Sequence, residues 1–453
     1  MAGEPACNVY VARETSVPSP FAMRCAKRPN GGITVPDCRT GYAHVSRSSD
    51  MPAQPQTTLP PLDYHAWRQR SVIVGGRAYS VASKPGLANH GRDDAAPRLL
   101  AERVAIPPGA TVVCLNAGSG LFGAVAAARG AAHVILTDRS AIAVEAARRT
   151  MAANGVSTAS VLSGHGSAPL DPATVADLVT IRIPTDKLSL LQLLGDAFRL
   201  LRVGGRCCIA GATNEGIKSA ATLLQRLFGN ATVLGTDSGH RAVMATKHAD
   251  TPADVSVITG ALLEHDAFHE IDATLRGRTF RLHSRPGVFS WEHLDEATEL
   301  LANVMEVRAS DHVLDLGCGS GALAILAATL ATSGAVTMVD VDSEAVRCAL
   351  RSVETAGLQN CDVQLSDVGS ALPDRHFDAV VCNPPFHMGK GTDLDIPHQF
   401  IIDSHRVLRH GGHLQLVANR TLPYERIISA TFGNLRTLHD GARFKVIGAT
   451  RQR

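Results

Sequence analysis

The feature that most constrains this chain is that it repeats itself. The stretch KPGLANHGRDDAAPRLLAERVAIPPGATVVCLNAGSG, beginning at Lys84, aligns without a gap on RPGVFSWEHLDEATELLANVMEVRASDHVLDLGCGSG, beginning at Arg285. Pro85 falls on Pro286 and Gly118 on Gly319 at an offset of 201, and Asp138 falls on Asp340 at 202. In each copy an apolar run, a glycine turn, a helix and a second apolar run closed by an acid follow one another, which is the opening of a doubly wound parallel sheet. The expected fold class is α/β, with two Rossmann-like domains in tandem. Their expected bounds are 61–253 and 254–453, and a β-rich stretch near 254–284 joins them or opens the second.

Residues 1–60 show neither helical nor strand periodicity and carry seven prolines from Pro18 to Pro60, so a disordered tail is expected there. Lysine and arginine exceed aspartate and glutamate by 44 − 42 = 2. That balance excludes a protein held to nucleic acid by bulk charge alone. The ten cysteines form no CxxC pair, so they read as buried thiols in a reducing cytoplasm and no metal is expected. No apolar run approaches the roughly 18 residues of a membrane span.

The second copy carries the chemistry. The run His312 to Leu316 reads as a buried strand, followed by Gly317-Cys318-Gly319-Ser320-Gly321 and an apolar helix from Ala322 to Ala331. Glycines at alternate positions let the backbone turn sharply and approach a ligand closely. Asp315, two residues before the first glycine, suits a cationic, amino-acid-bearing ligand such as S-adenosylmethionine better than a pyrophosphate. Asp340 closes the next strand, Ala335 to Val339, where an acid accepts hydrogen bonds from ribose hydroxyls. Asp342 competes for that role, but its partner in the first copy is Ser140, whereas Asp340 pairs with Asp138. Asp367, after the strand Asp362 to Leu365, stands where such folds address the adenine amine, with a turn or helix-cap carboxylate as the other reading.

Asn383-Pro384-Pro385-Phe386 follows the apolar strand Phe377 to Cys382. Two prolines are rigid and donate no hydrogen bond, so they fix the Asn383 amide and the Pro384 carbonyl as acceptors. Phe386 adds a flat face. The set suits a planar base bearing an NH2 group, stacked on the aromatic with its amine hydrogens accepted and its nitrogen aimed at a sulfonium methyl. His387 either orients substrate or caps a loop. The first copy lacks this set: Cys114 stands opposite Asp315, Asn116 opposite Gly317, and Arg182-Ile183-Pro184-Thr185 replaces the tetrapeptide. It reads as catalytically dead.

With D-L-G-C-G-S-G, N-P-P-F-H, the upstream R-P-G-V-F-S with Leu294-Asp295, and V-A-N-R-T-L-P-Y with R-F-K-V, the chain resembles the bacterial tandem-domain ribosomal RNA guanine-N2 methyltransferases over about residues 62–453. The resemblance implies two class I methyltransferase folds, the first degenerate. It implies S-adenosylmethionine as donor and methylation of the exocyclic amine of a guanine, in 16S rather than 23S rRNA. Carried over by position, Gly317, Gly319, Asp340 and Asp367 bind cofactor together with Asp315 and Gly321, and Asn383 to Phe386 hold the base. Arg285 to Ser290 and Asp295 lie near the cofactor. The expected partner is ribosomal RNA or a ribosomal subunit, with the protein a cytoplasmic monomer. Two competing readings use the same tetrapeptide, on a protein glutamine or a DNA adenine; a third is a non-catalytic RNA-binding assembly factor.

Overall fold

In the computed structural model the described residues are 63–87, 90, 94–250, 254–385 and 395–453. The tail expected at 1–60, Arg92, Phe386 and His387 lie outside them. The first lobe runs β1 (Arg68–Val74), β2 (Arg77–Ser83), α1 (Ala95–Arg103), β3 (Thr111–Leu115), α2 (Leu121–Ala128), β4 (His133–Asp138), α3 (Ala141–Ala153), β5 (Ala159–Ser163), β6 (Ala176–Arg182), α4 (Lys187–Leu200), β7 (Leu201–Ala212), α5 (Ile217–Phe228), β8 (Thr232–Asp237) and β9 (His240–Thr246). The second repeats it as β10 (His269–Leu275), β11 (Arg278–Ser284), α6 (Glu296–Val304), β12 (His312–Leu316), α7 (Ala322–Leu330), β13 (Ala335–Asp340), α8 (Ser343–Ala356), β14 (Cys361–Leu365), β15 (Phe377–Cys382), α9 (Asp395–Val407), β16 (Leu408–Asn419), α10 (Tyr424–Phe432), β17 (Arg436–Asp440) and β18 (Phe444–Thr450).

Each lobe is built on a seven-stranded sheet, in the orders β5-β4-β3-β6-β7-β9-β8 and β14-β13-β12-β15-β16-β18-β17. The central strands are continuous apolar runs because helices cover both faces, which parallel pairing requires; every residue of β15 is buried. The last two strands of each sheet run antiparallel. The antiparallel pairs β1-β2 and β10-β11 stand apart as two-stranded hairpins, so of the stretch near 254–284 only His269 to Ser284 opens the second lobe, while the short 3-10 turns Val255–Ile258 and Ala261–Leu263 join the lobes and pack on helices of the first. Helix α7 is apolar all round because it is buried from Ala322 to Ala328. Truncating its Leu326 to alanine would cost about 2–5 kcal/mol.

Aspartates cap corresponding helices. Asp94 accepts from Ala96 N at the start of α1 and Asp295 from Thr298 N at the start of α6, each removing an orphan donor. The lobes meet through matching loops: Ser140 and Asp342 form an antiparallel bridge, Ala141 N donates to Val341 O at 2.8 Å and Ser343 N to Arg139 O at 2.9 Å. Beside this seam the segment before each hairpin crosses to the other lobe. His65 meets Asp403 of α9 at 3.2 Å, and its counterpart His265 meets Asp196 of α4 at 3.1 Å.

Candidate active site

In the second sheet the strand order reverses between β12 and β15, and chains leaving those strands diverge to open a crevice at their carboxyl ends. A cavity of about 510 Å3 lies there, lined by Asp315, Gly317, Gly319, Asp340, Asp367, Asn383, Pro384 and Pro385. Gly321 is not on its wall: its φ of +89° turns the chain into α7, where an added Cβ would sit 3.6 Å from Ala349. That contact is an ordinary one, so the left-handed backbone rather than close packing is what favours glycine here. Gly317 does face the cavity, with φ +78° and only 3.0 Å between an ideal Cβ and the ring of Phe400.

The two acids of the loop differ in how they are satisfied. Asp340 accepts from Gly319 N at 2.9 Å and from Asp342 N at 3.0 Å, which fixes its carboxylate and leaves lone pairs for two hydroxyls. Asp315 accepts from Ala324 N at 3.1 Å, while its Oδ1 is buried without a partner. An orphaned, buried carboxylate oxygen beside a cavity fits a ligand that brings its own positive charge. Burial pushes the Asp315 carboxyl up to about 7 and that of Asp340 up to about 6. Asp342 is occupied elsewhere, capping α8 through Glu344 N at 3.0 Å and receiving Arg139 Nε at 2.7 Å.

Asn383 is oriented by a network that its own sequence neighbourhood does not contain. Its Nδ2 donates to Asp295 Oδ2 at 3.0 Å and to Thr298 Oγ1 at 2.9 Å. With both amide hydrogens spent on a carboxylate and a hydroxyl, Oδ1 is the atom left to accept. Phe289 also lines the cavity and is 58% exposed, an aromatic face at its mouth.

Asp367 is neither a turn nor a cap carboxylate alone. Tyr64 OH donates to its Oδ1 at 2.9 Å, and Lys84 Nζ pairs with its Oδ2. Tyr64, Gly86 and Ile142 of the first lobe form part of the same cavity wall. Sequence reasoning missed these residues; the one available signal was Lys84 standing opposite Arg285 at the head of the repeat. His265 and His269 stand four apart but turn to different partners, Asp196 and the Glu292 carbonyl.

The first lobe keeps the scaffold and loses the contents. Asp138 accepts from Gly118 N at 2.9 Å and Ser140 N at 3.0 Å, repeating the pattern at Asp340. Arg182, at the place of Asn383, meets the capping Asp94 at 3.4 Å and Glu215 at 2.8 Å. His165 stands at the Asp367 position, and burial pushes its imidazole down to about 4.

A sheet in this order, with a glycine turn after its first parallel strand, an acid after its second and Asn-Pro-Pro after its fourth, is the arrangement of a methyltransferase. The chain belongs to the methyltransferase small domain family, whose profile matches residues 78–244 and 279–448. A ribosomal RNA small subunit methyltransferase C from Hahella chejuensis is 32% identical over 276 residues, covering 61% of this chain and 78% of that protein. One from Serratia proteamaculans is 30% identical over 283 residues, covering 62% and 77%. Among solved structures, the T. thermophilus 16S rRNA N2 G1207 methyltransferase, determined in complex with AdoMet and guanosine, superposes with a TM-score of 0.71 at 29% identity, covering 86% of this chain and 99% of that one.

Proposed function

We propose that this chain transfers a methyl group from S-adenosylmethionine to the exocyclic N2 amine of a guanine in 16S ribosomal RNA. The observation that carries this reading is the orientation of Asn383, whose amide hydrogens are held by Asp295 and Thr298 beside the cavity that Asp340 and the glycine loop share. The cofactor supplies an electrophilic sulfonium methyl. Asp340 would hold its ribose hydroxyls, Asp367 its adenine amine, and Gly317, Gly319 and Asp315 its amino-acid end. Asn383 Oδ1 and the Pro384 carbonyl would accept the two hydrogens of the guanine amine, while Pro385 keeps the strand end rigid. Phe386 would cover one face of the base, with Phe289 as a second aromatic.

These acceptors aim the nitrogen lone pair away from themselves, so positioning and preorganised electrostatics carry the rate. No strong base is needed, because the amine proton becomes acidic once the nitrogen is alkylated and leaves to an acceptor or to water. A guanine paired in a helix presents neither face, so the base must be turned out.

The test is nucleoside mass spectrometry of rRNA from a strain lacking the gene, with labelled methyl transfer by purified protein. Loss of N2-methylguanine from 16S and its restoration in vitro are expected. Label appearing in 23S rRNA, in DNA adenine or in a release-factor glutamine instead would reassign the substrate, and none at all would leave only a binding protein.

A further inference from the structure

We propose that Lys84 and Tyr64 of the first lobe are positioning residues of the second lobe's cofactor site, holding Asp367 as the reader of the adenine amine. The lobe that has lost its chemistry then still builds the pocket in which chemistry occurs. This rests on the reading of the cavity as an S-adenosylmethionine site.

The segment carrying these residues crosses the seam as one unit. His65 anchors it on Asp403 at 3.2 Å. Tyr64, 5% exposed, and Lys84, 1% exposed, then converge on opposite oxygens of Asp367. The Lys84 ammonium also lies 4.3 Å above the Tyr64 ring, so each side chain fixes the other. Gly86 lets the strand end approach: an ideal Cβ there would fall 2.5 Å from Ile142 Cδ1 and 3.2 Å from Tyr64 OH.

A carboxylate has about four lone-pair sites over its two oxygens. Two are taken by Tyr64 and Lys84, leaving acceptor capacity on both oxygens of a side chain that lines the cavity. Fixed this way, Asp367 accepts from a 6-amino group and repels a 6-oxo group, and a site built to accept a ligand hydrogen discriminates against the analogue that lacks it. Stability alone is a poor reason to bury an ammonium so completely, because the desolvation of a buried ion pair offsets most of its attraction.

The test uses the full chain and two ligands, S-adenosylhomocysteine and its 6-oxo analogue S-inosylhomocysteine, with dissociation constants from calorimetry. Wild type should prefer the amino form, and Asp367→Ala should abolish the preference. Lys84→Met should cut the preference roughly 10- to 100-fold, the scale of one hydrogen bond to a charged group, and Tyr64→Phe should cut it several-fold. Should Lys84→Met fail to fold, as judged by circular dichroism, the milder Tyr64→Phe decides. A merely structural role would lower thermal stability and leave the ratio of the two constants at its wild-type value; that result, with Asp367→Ala still losing the preference, overturns the proposal alone. Retention of the preference in Asp367→Ala overturns the role of Asp367 and the proposal with it, and failure of wild type to bind either ligand overturns the reading of the cavity.

Discussion

The two lobes place different side chains on one backbone, and the difference at a single pair of positions explains their division of labour. At the end of β15 the capping carboxylate Asp295 holds the Asn383 amide; at the end of β6 the corresponding Asp94 holds the Arg182 guanidinium. Asparagine so held presents an acceptor, whereas arginine has donors only. A base amine needs acceptors, so at the position matching Asn383 the first lobe presents the opposite polarity while keeping the strand, the turn and the capped helix. What was lost is side-chain chemistry, which costs a fold little; what was kept is geometry.

The sharpest way to break this comparison is at that pair. Asn383→Ala should lower the single-turnover methylation rate by about 10² or more, the scale for removing a preorganised polar group, with cofactor affinity nearly unchanged by calorimetry. Arg182→Ala should leave the rate alone, and a comparable loss there would show that the first lobe still acts in the reaction. A second contrast sets Asp340→Ala against Asp138→Ala. The first should weaken S-adenosylhomocysteine binding by about 1.5–3 kcal/mol, as expected for hydrogen bonds to a charged acceptor, and equal losses in both would mean two working nucleoside sites. Phe289→Ala should weaken capture of 16S rRNA by about 1–3 kcal/mol, the cost of one base stack, seen in filter binding as a uniform loss at all cofactor concentrations.

The smallest effect is a pH dependence. Asp315 and Asp340 have carboxyls raised by burial to about 7 and about 6, from an ordinary 3.8. Between pH 4 and 7 the folded protein therefore binds more protons than the unfolded chain, and stability of the ligand-free protein should fall as pH rises through that window. The α-ammonium and the ribose hydroxyls of S-adenosylhomocysteine favour the ionised acids they meet, so the rise in melting temperature this ligand causes should grow over the same range. Asp315→Asn should flatten both trends. Its first-lobe counterpart Cys114, whose thiol burial pushes up to about 12, adds nothing in this window.

The local part of this architecture was legible in the sequence. Apolar runs bounded by glycine and acid gave β12, β13 and β15 to within a residue or two, because a buried parallel strand must be continuously apolar. The repeat then singled out Asp340 over Asp342, since only Asp340 has an acidic partner, and Asp340 and Asp138 do accept matching backbone hydrogen bonds. What stayed hidden were contacts between positions hundreds of residues apart, such as Tyr64 and Lys84 on Asp367. Periodicity reports that a face is covered, not by what. Asp295 was legible only as a neighbour of the site; its grip on Asn383 depends on where α6 begins against β15. Gly321 shows that a glycine in a binding pattern can also answer a backbone need, since its φ of +89° turns the chain into α7.

The crossing of the two pre-hairpin segments has a consequence for how such a gene can change. If the first lobe takes no part in the reaction, as proposed, mutations that erode Arg182 or His165 should meet no catalytic penalty, and that lobe's own cleft is free to drift. The same lobe's Tyr64 and Gly86 line the other lobe's cavity, and Lys84 pairs with Asp367 beside it. On that reading, selection divides along the seam between the lobes rather than along the boundary of the duplication, and splitting the gene at the repeat would part Tyr64, His65 and Lys84 on one side, and His265 on the other, from the carboxylates they grip.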